Sequence, residues 1–333
     1  MLPIKRFQMK KIALLSFLFL TLTSGYSQEL NIPVFTQYLA DNPFVISPTY
    51  AGIGDNLRIR ANGLTQWVGI QGAPDNQSVF ADFRIANQSG IGASFYNDKN
   101  GNTNQAGAKF TFAHHIILDY YSKQYLSFGM SYNFNTFSID IANLSPTNPD
   151  NAITNDRRTS NNNFDVGFLY RWDQFYLSIN GANILGKNID QFSGYKIEPN
   201  LLLNYQVYSG YVIKTPNFSE VEPSVFFQYF ASDGRSSTDL NVKYRKYNNR
   251  DEYYWVGASY RFLNDQVLKP LNLGPMFGFK KSVFYFGYSY QMTFNEMASF
   301  NSGTHMITIG LDFLQGISDC PCTQSVDHHG WGY

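Results

Sequence analysis

Between residues 57 and 314, apolar and polar positions alternate with a period of two. In residues 282–293, SVFYFGYSYQMT, the even positions are aromatic or apolar, whereas the odd positions include glycine, serine and glutamine. Residues 125–135 and 304–314 show the same division. Because successive side chains of a strand point to opposite faces, this alternation predicts strands with one apolar face.

The alternation predicts an all-β chain with about fourteen strands. Most segments have about ten residues, longer than the five or six residues usual in soluble sheets. At about 3.3 Å per residue and a tilt near 40°, ten residues climb about 25 Å, the height of the apolar band of an outer-membrane barrel. We therefore predict a transmembrane antiparallel β-barrel over residues 57–314. The predicted strands are 57–67, 75–86, 89–98, 103–115, 125–138, 163–171, 175–185, 201–213, 221–231, 236–246, 252–262, 271–279, 282–293 and 304–314.

The connections between these strands alternate in length, as a barrel with short periplasmic turns and long outer loops requires. Two connections break the rule, the inner connection 116–124 and the short outer connection 232–235. The short connections are 87–89, 172–174, 214–218 and 280–281, and the long ones are 68–74, 139–162, 186–200, 263–270 and 294–303.

The N-terminus resembles a secretory signal peptide. Lysine and arginine residues precede an apolar run over residues 12–22, and Gly25 and Ser27 suit a cleavage site. The run is shorter than the roughly 20 residues of a spanning helix, which favours a cleaved signal peptide at residues 1–27 over an uncleaved anchor.

Two segments lie outside the predicted strands. Residues 28–56 contain three prolines, which disfavour a helix or a ladder strand, and they are too apolar for a simple linker. We predict that they fold into the barrel mouth or lumen as a plug. Residues 315–333 are predicted to form a disordered tail on the periplasmic side.

The composition excludes several classes of protein. Aromatic residues make up 17% of the chain, charged residues 15%, and the formal net charge is zero. The balanced charge gives no indication of a nucleic-acid partner, and two cysteines do not make a disulfide scaffold. Beyond the N-terminus, no apolar run approaches the length of a spanning helix.

Charged residues of both signs fall on the predicted inner face of the barrel. Our interpretation is a lumen crossed by salt bridges and plugged, and the alternative is a selective path for ions or solutes. These lumen residues are Asp82, Arg84, Lys109, Asp239, Lys243, Arg245, Arg261 and Asp312.

No pattern of residues predicts an enzyme, a cofactor or a metal site. No Gly-x-Ser-x-Gly motif accompanies the histidines, although a barrel hydrolase using His305 is an alternative. Cys320 and Cys322, followed by His328 and His329, could gather a metal ion. Their spacing favours a local disulfide, or cysteines without a role, in an oxidising periplasm. His114 and His115 are expected at an inner end, one facing the membrane interface and the other the lumen.

A series of short stretches runs through nearly the whole mature chain. The first is TQYLADNPFVISPTYAG, residues 36–52, and the second is QWVGIQGAP, residues 66–74. The others are YNDKNG (96–101), FAHHI (112–116), DVGFLYR (165–171), VEPSV (221–225), YYWVGASYR (253–261), FGYSYQMT (286–293) and SGTHMI (302–307). In sequence and in order, these stretches resemble the PorP/SprF family of type IX secretion system membrane proteins.

The resemblance implies a non-enzymatic outer-membrane barrel of Bacteroidota that exports or anchors secreted adhesins, in some species those of gliding motility. The implied partners are the C-terminal sorting domain of a type IX substrate outside and periplasmic lipoprotein and ring components inside. The chain departs from the family pattern at Ser47, Thr49, Leu64, Thr65 and Met306, so a partner-specific contact at these positions does not carry over.

Candidate partner-binding residues lie at the predicted outer rim and loops. They belong to the stretches 66–74 and 96–101, which we call the two rim motifs. Loops 68–74, 139–162 and 186–200 are expected to face the substrate. Trp67 is expected to mark the outer end of the first strand, facing lipid in the aromatic girdle. The competing hypothesis for the whole protein is a general porin or solute channel. The candidate residues are Trp67, Gly69, Gly72, Pro74, Asn97, Asp98 and Lys99.

Overall fold

The computed structural model describes nine stretches of the chain that together form an antiparallel barrel. The predicted signal peptide, residues 1–27, lies outside the described residues, as do residues 28–36. The described residues are 37–54, 57–140, 157–185, 203–231, 234–249, 252–267, 270–294, 296–314 and 319–324.

Fifteen strands make up the sheet within the described residues. They are β1 Leu57–Thr65, β2 Asp75–Ala86, β3 Ser89–Asn100, β4 Thr103–Asp119, β5 Gln124–Ile139, β6 Arg157–Trp172, β7 Phe175–Ala182, β8 Asn204–Tyr211, β9 Ile213–Thr215, β10 Ser219–Phe230, β11 Ser236–Asn249, β12 Glu252–Leu263, β13 Pro270–Lys281, β14 Phe284–Thr293 and β15 Thr304–Phe313.

The sheet closes on itself. Strand β1 pairs antiparallel with both β2 and β15, and β10 pairs with β11, so the described strands leave no open edge in the ring. Strands β8 and β9 both pair with β10 and occupy one position in the ring, which therefore has fourteen positions. The prediction of an antiparallel barrel of about fourteen strands is confirmed.

Several strand ends differ from the sequence prediction. Strand β4 continues to Asp119 and β5 begins at Gln124, so the turn predicted as residues 116–124 is short and fits the length rule. Strand β6 begins at Arg157, inside the predicted loop 139–162, because its polar residues still pair with β5. Val212 separates β8 from β9, and its N–H donates to the Gln174 carbonyl in the register of the β7–β8 ladder.

The two faces of the barrel differ in chemistry. In β5, Ser127 and Ser131 point inward and are buried, whereas Phe128 and Met130 point outward and are exposed. An outward apolar face and an inward polar face are typical of outer-membrane barrels. Among the described residues, no helix is long and apolar enough to cross a membrane.

Residues 37–54 lie inside the barrel, and we call them the lumen segment. They form three 3-10 helices, Gln37–Leu39, Pro43–Val45 and Pro48–Tyr50. Pro43 and Pro48 each occupy the first position of a helix, where the missing N–H costs no hydrogen bond. The third helix contacts β4, β5 and β6, and most of the segment's apolar side chains are buried.

Candidate functional site

Asp41 fastens the lumen segment to β11 and β12. Its Oδ1 atom accepts hydrogen bonds from Lys243 Nζ and Arg245 Nη2, each at 2.6 Å. Its Oδ2 atom accepts from the Tyr253 hydroxyl at 2.8 Å. One carboxylate therefore neutralises two cations of the lumen wall.

The surroundings of Asp41 keep its carboxyl group ionised. Burial by itself would raise the pKa, but the positive charges of Arg245 and Lys243 outweigh burial and hold the pKa of Asp41 well below its usual range. The ion pairs with β11 are therefore present throughout the neutral pH range.

Tyr38 makes a second attachment to the same side of the wall. Its hydroxyl donates to Asp239 Oδ2 at 3.1 Å and accepts from Asn241 Nδ2 at 3.0 Å. Asp239 in turn accepts two hydrogen bonds from Arg261, both at 2.6 Å. The Tyr38 ring packs edge to face on Tyr208, with the ring centroids 5.2 Å apart.

The other end of the segment is attached to β2, β4 and β5. The Gly52 N–H donates to Asp82 Oδ2 at 3.1 Å, and Asp82 also pairs with Arg58. His115 Nε2 lies 3.0 Å from the Ala51 carbonyl, and its Nδ1 lies 2.8 Å from Ser127 Oγ. Since a carbonyl only accepts, Nε2 carries a proton, and in the neutral ring Nδ1 then accepts from the serine hydroxyl.

Two inward-facing glycines let the segment's backbone touch the wall. A Cβ atom on Gly90 would lie 2.3 Å from the Ala51 carbonyl oxygen, and one on Gly129 would lie 2.5 Å from the Pro48 carbonyl carbon. Both distances are shorter than any side chain tolerates, so these positions admit only glycine while the segment occupies the lumen.

The predicted lumen charges lie on the inner face, and partners not named from the sequence complete the pairs. Asp312 pairs with Arg60 at 2.6 Å and with Lys280 at 3.0 Å. Lys109 pairs with Asp165 at 2.8 Å. The partners that the sequence analysis did not name include Arg60, Asp165 and Lys280. Each occupies a position of its strand whose side chain points inward, and the alternation along the strand could have identified it.

Arg245 has a second acidic partner, and Arg84 is the last of the predicted charges. Arg245 pairs with Glu220 of β10 as well as with Asp41. Arg84 Nη1 donates to the Gly54 carbonyl at 3.3 Å, so it contacts the lumen segment through the backbone. Seven of the predicted charges thus lie in ion pairs; they are Asp82, Lys109, Asp239, Lys243, Arg245, Arg261 and Asp312.

A cavity of about 120 Å³ remains between the lumen segment and the wall. Its lining includes Asp41, Arg171, Tyr176 and Glu222. The Tyr176 hydroxyl donates to Glu222 Oε1 at 2.6 Å. The cavity lies near the end of the barrel where β1 begins and the short turns 87–88, 120–123 and 173–174 lie. We call this the short-turn end and the opposite one the long-loop end.

The described part of the C-terminal tail, residues 319–324, contacts the short-turn end, contrary to the prediction of a disordered tail. Cys320 and Cys322 form a disulfide. His328 and His329, the further ligands of the alternative metal site, lie outside the described residues, and no group of three potential metal ligands occurs among the residues that are described.

The motif at residues 66–74 forms an ordered loop at the long-loop end. Strand β1 ends at Thr65, and Trp67 is half-buried with a left-handed φ of 48°. Strand parity therefore does not set its orientation, and the expectation that Trp67 ends the first strand is wrong. Gly69 and Gly72 also have positive φ, at 106° and 74°.

Hydrogen bonds hold this loop to its neighbours on both sides. The Gln66 N–H donates to the Pro74 carbonyl at 2.9 Å and closes the loop. Val68 and Gly303 are joined by a 3.1 Å bond, and the Gly101 N–H donates to the Gly72 carbonyl at 2.9 Å. The loop is therefore a fixed part of the rim.

The second candidate motif lies on the same rim. Asn97, Asp98 and Lys99 lie near the end of β3 and pair with residues 75–77 of β2, directly after Pro74. Asn97 and Lys99 are exposed, and Asp98 is half-buried. The fold thus brings the two rim motifs together and separates both from the lumen charges.

The described histidines make hydrogen bonds to neighbouring strands. His305 Nδ1 lies 2.7 Å from the Tyr288 hydroxyl, and its ring lies 5.0 Å from that of Tyr290, centroid to centroid. His114 Nδ1 lies 2.9 Å from Ser89 Oγ on the outer face, opposite in direction to the inward His115.

Solved structures similar to this chain are outer-membrane barrels of low sequence identity. A FadL homologue of Pseudomonas aeruginosa is 10% identical with a TM-score of 0.47, covering 80% of this chain and 93% of its own. The CymD monoaromatic hydrocarbon channel is 11% identical with a TM-score of 0.48, covering 84% and 92%. An outer membrane phospholipase A of Escherichia coli is 11% identical with a TM-score of 0.35, covering 86% and 94%. At these values the likenesses support no statement about function.

No curated protein matches the chain significantly. The family model described as "Type IX secretion system membrane protein PorP/SprF" matches residues 27–311, most of the chain. This match confirms the resemblance stated from the sequence, and with the closed antiparallel barrel it places the protein in the outer membrane. The chain belongs to the PorP/SprF family of type IX secretion system membrane proteins.

Proposed function

We propose that this barrel is a non-enzymatic anchor or export component that holds a secreted adhesin or other type IX substrate at the cell surface. The observation that carries the proposal is the paired contact between the lumen segment and the wall. Polar groups of the barrel wall form hydrogen bonds with Asp41 and Tyr38 at one end of the segment and with Gly52 and Ala51 at the other. In an open channel these wall groups would bind water instead.

The substrate side is the long-loop end. The loop 66–74 is fixed by backbone hydrogen bonds to residues 101 and 303, and a fixed surface binds a partner with little ordering cost. Trp67, Gly69, Gly72 and Pro74, together with residues 97–99, supply aromatic, backbone and charged groups there. The proposed occupant is the C-terminal sorting domain of the substrate. Loops 139–162 and 186–200 are also proposed to face it, but residues 141–156 and 186–200 lie outside the described residues.

The periplasmic side is the short-turn end, where short turns face the periplasm in barrels of this kind. Lipoprotein and ring components of the secretion system are the proposed partners at this end. The proposal extends to gliding motility in Bacteroidota where the substrate is a moving adhesin.

Purification from outer membranes tests partner and location together. The tagged protein should bring down a type IX substrate and periplasmic system components, identified by mass spectrometry. Deleting the gene should remove the cognate adhesin from the cell surface, and an adhesin that stays at the surface after deletion would contradict the proposal.

A general porin is the competing function, and conductance separates the two. In planar bilayers the proposed anchor should be nearly silent, whereas a porin should conduct steadily. A third possibility, a barrel hydrolase, requires turnover of lipid or peptide that the substitution His305→Ala abolishes. His305 and Tyr288 lie on the paired strands β15 and β14, two residues apart in register, which brings their side chains within hydrogen-bond distance.

A further inference from the structure

The C-terminal residues 319–324 form a compact element that we call the clip. Pro321–Thr323 is a 3-10 turn, the Cys320–Cys322 disulfide closes it, and the Thr323 N–H donates to the Cys320 carbonyl at 3.1 Å. Covalent closure limits the conformations of the free clip, so docking it costs less ordering entropy.

The clip is docked against one turn and three strands of the short-turn end, namely the turn at Asn87 and strands β4, β5 and β6. Thr323 Oγ1 donates to the Asn87 carbonyl at 3.0 Å. Arg171 donates from Nη1 to the Gln324 carbonyl at 2.8 Å and from Nη2 to the Cys322 carbonyl. Cys322 is fully buried and packs with Cys320 against Tyr125 and Ile117. The clip is therefore part of the folded barrel.

The clip also contacts the lumen segment directly. The Gly54 N–H donates to the Thr323 carbonyl at 2.8 Å, while the Gly54 carbonyl accepts from Arg84 at 3.3 Å. Gly52 and Ala51, just before it, are bonded to Asp82 and His115. The clip thus lies beside the point at which the lumen segment turns toward β1.

We propose that the clip is a latch that keeps residues 50–54 of the lumen segment against the wall. The two ends of the segment are then held by different means. Ion pairs from Asp41 to β11 hold the first end, and the clip closes over the second. Undocking the clip releases residues 50–54 and leaves residues 37–41 in place. This inference does not depend on the identity of the secreted partner.

Hydrogen–deuterium exchange of the purified mature barrel in detergent measures the two ends separately. In a chain ending at Leu314, the amide exchange rate of residues 50–54 should be about five- to tenfold higher than in the wild type. The exchange rate of residues 37–41 should be unchanged. The double variant Cys320→Ser/Cys322→Ser and the variant Arg171→Gln should change in the same direction by a smaller factor.

Lys123→Gln is the matched control. Lys123 lies in a turn at the same end and pairs with Asp173 at 3.1 Å, with both side chains more than 40% exposed. The pair between Lys123 and Asp173 does not involve the clip. Removing the charge of Lys123 should therefore leave residues 50–54 exchanging at the wild-type rate.

The outcomes that overturn the latch are specific. The latch is overturned if the truncated chain folds and its residues 50–54 exchange as slowly as in the wild type. It is also overturned if the exchange of residues 37–41 is accelerated as much as that of residues 50–54. If truncation prevents folding, the folded wild type is treated with dithiothreitol, whose two thiols become a disulfide as Cys320 and Cys322 become thiols. Faster exchange over residues 50–54 then supports the latch, whereas acceleration confined to residues 319–324 overturns it.

Discussion

Asp41 of the lumen segment and Arg245 of β11 form an ion pair in which Oδ1 and Nη2 are 2.6 Å apart, although 204 residues separate them in the chain. Lys243 shares the same carboxylate oxygen. A carboxylate that neutralises two largely buried cations fixes the segment strongly, because removing it leaves both cations without that partner.

The substitution Asp41→Asn is therefore expected to loosen the first end of the segment. We expect it to destabilise the folded barrel by about 3 kcal/mol, since breaking a buried ion pair costs about that much. Urea unfolding in detergent micelles measures the change. Lys123→Gln, which breaks an exposed pair, should cost less than about 1 kcal/mol, and equal losses in the two variants would contradict the role of Asp41.

The attachment through Asp41 should not depend on pH in the physiological range. Its pKa is lower in the folded than in the unfolded protein, where it is about 3.9, so its contribution is fully present above that value. The contribution is lost only as the pH falls through the lower, folded pKa. Bilayer conductance of the wild type should stay near zero from pH 8 to pH 5, and a steady increase across that interval would refute this account.

Gly90 and Gly129 should not accept a side chain while the lumen segment is in place. The substitutions Gly90→Ala and Gly129→Ala should displace residues 48–52 and accelerate their hydrogen exchange, because each new Cβ atom meets the segment's backbone. Gly63 of β1 is the matched control, since a Cβ atom there has no other atom within 4 Å. Gly63→Ala should leave the exchange of residues 48–52 unchanged.

The rim loop offers a test of partner binding that leaves the barrel intact. Gly72→Ala should distort loop 66–74, because φ there is 74°, and should reduce the amount of substrate that co-purifies at least severalfold. Gly234→Ala introduces the same strain at φ 72° in another outer loop. Equal loss of substrate in both variants would point to a general defect rather than to binding at loop 66–74.

The period of two predicted the barrel and the inward parity of its charges because that period follows from strand geometry alone. It could not predict that Asp41 meets Lys243, because the path of residues 37–54 depends on three-dimensional fit against Gly90 and Gly129. The end of β1 was misplaced for a related reason. Trp67 suits a strand by its β propensity, but the bond from Gln66 to Pro74 already closes the loop.

The clip was equally invisible in the sequence. Cys320 and Cys322 indicate a local disulfide or a metal site, but the polar residues around them show no periodic pattern that would predict docking. Its docking depends on Arg171 and Asn87, which lie on strands or turns far away in the chain. Contacts between irregular segments of this kind carry no sequence period, so only the assembled barrel reveals them.

The pairing of β1 with β15 sets an order of assembly. The first and last strands meet at a seam that can form only when the entire chain is available, whereas the lumen segment precedes β1 and is synthesised first. The segment must therefore be enclosed as the seam closes, or enter afterwards through an end of the ring. The bond between Gly54 and Thr323 joins the segment before β1 to the segment after β15, so it can form only after the chain has been synthesised as far as Thr323.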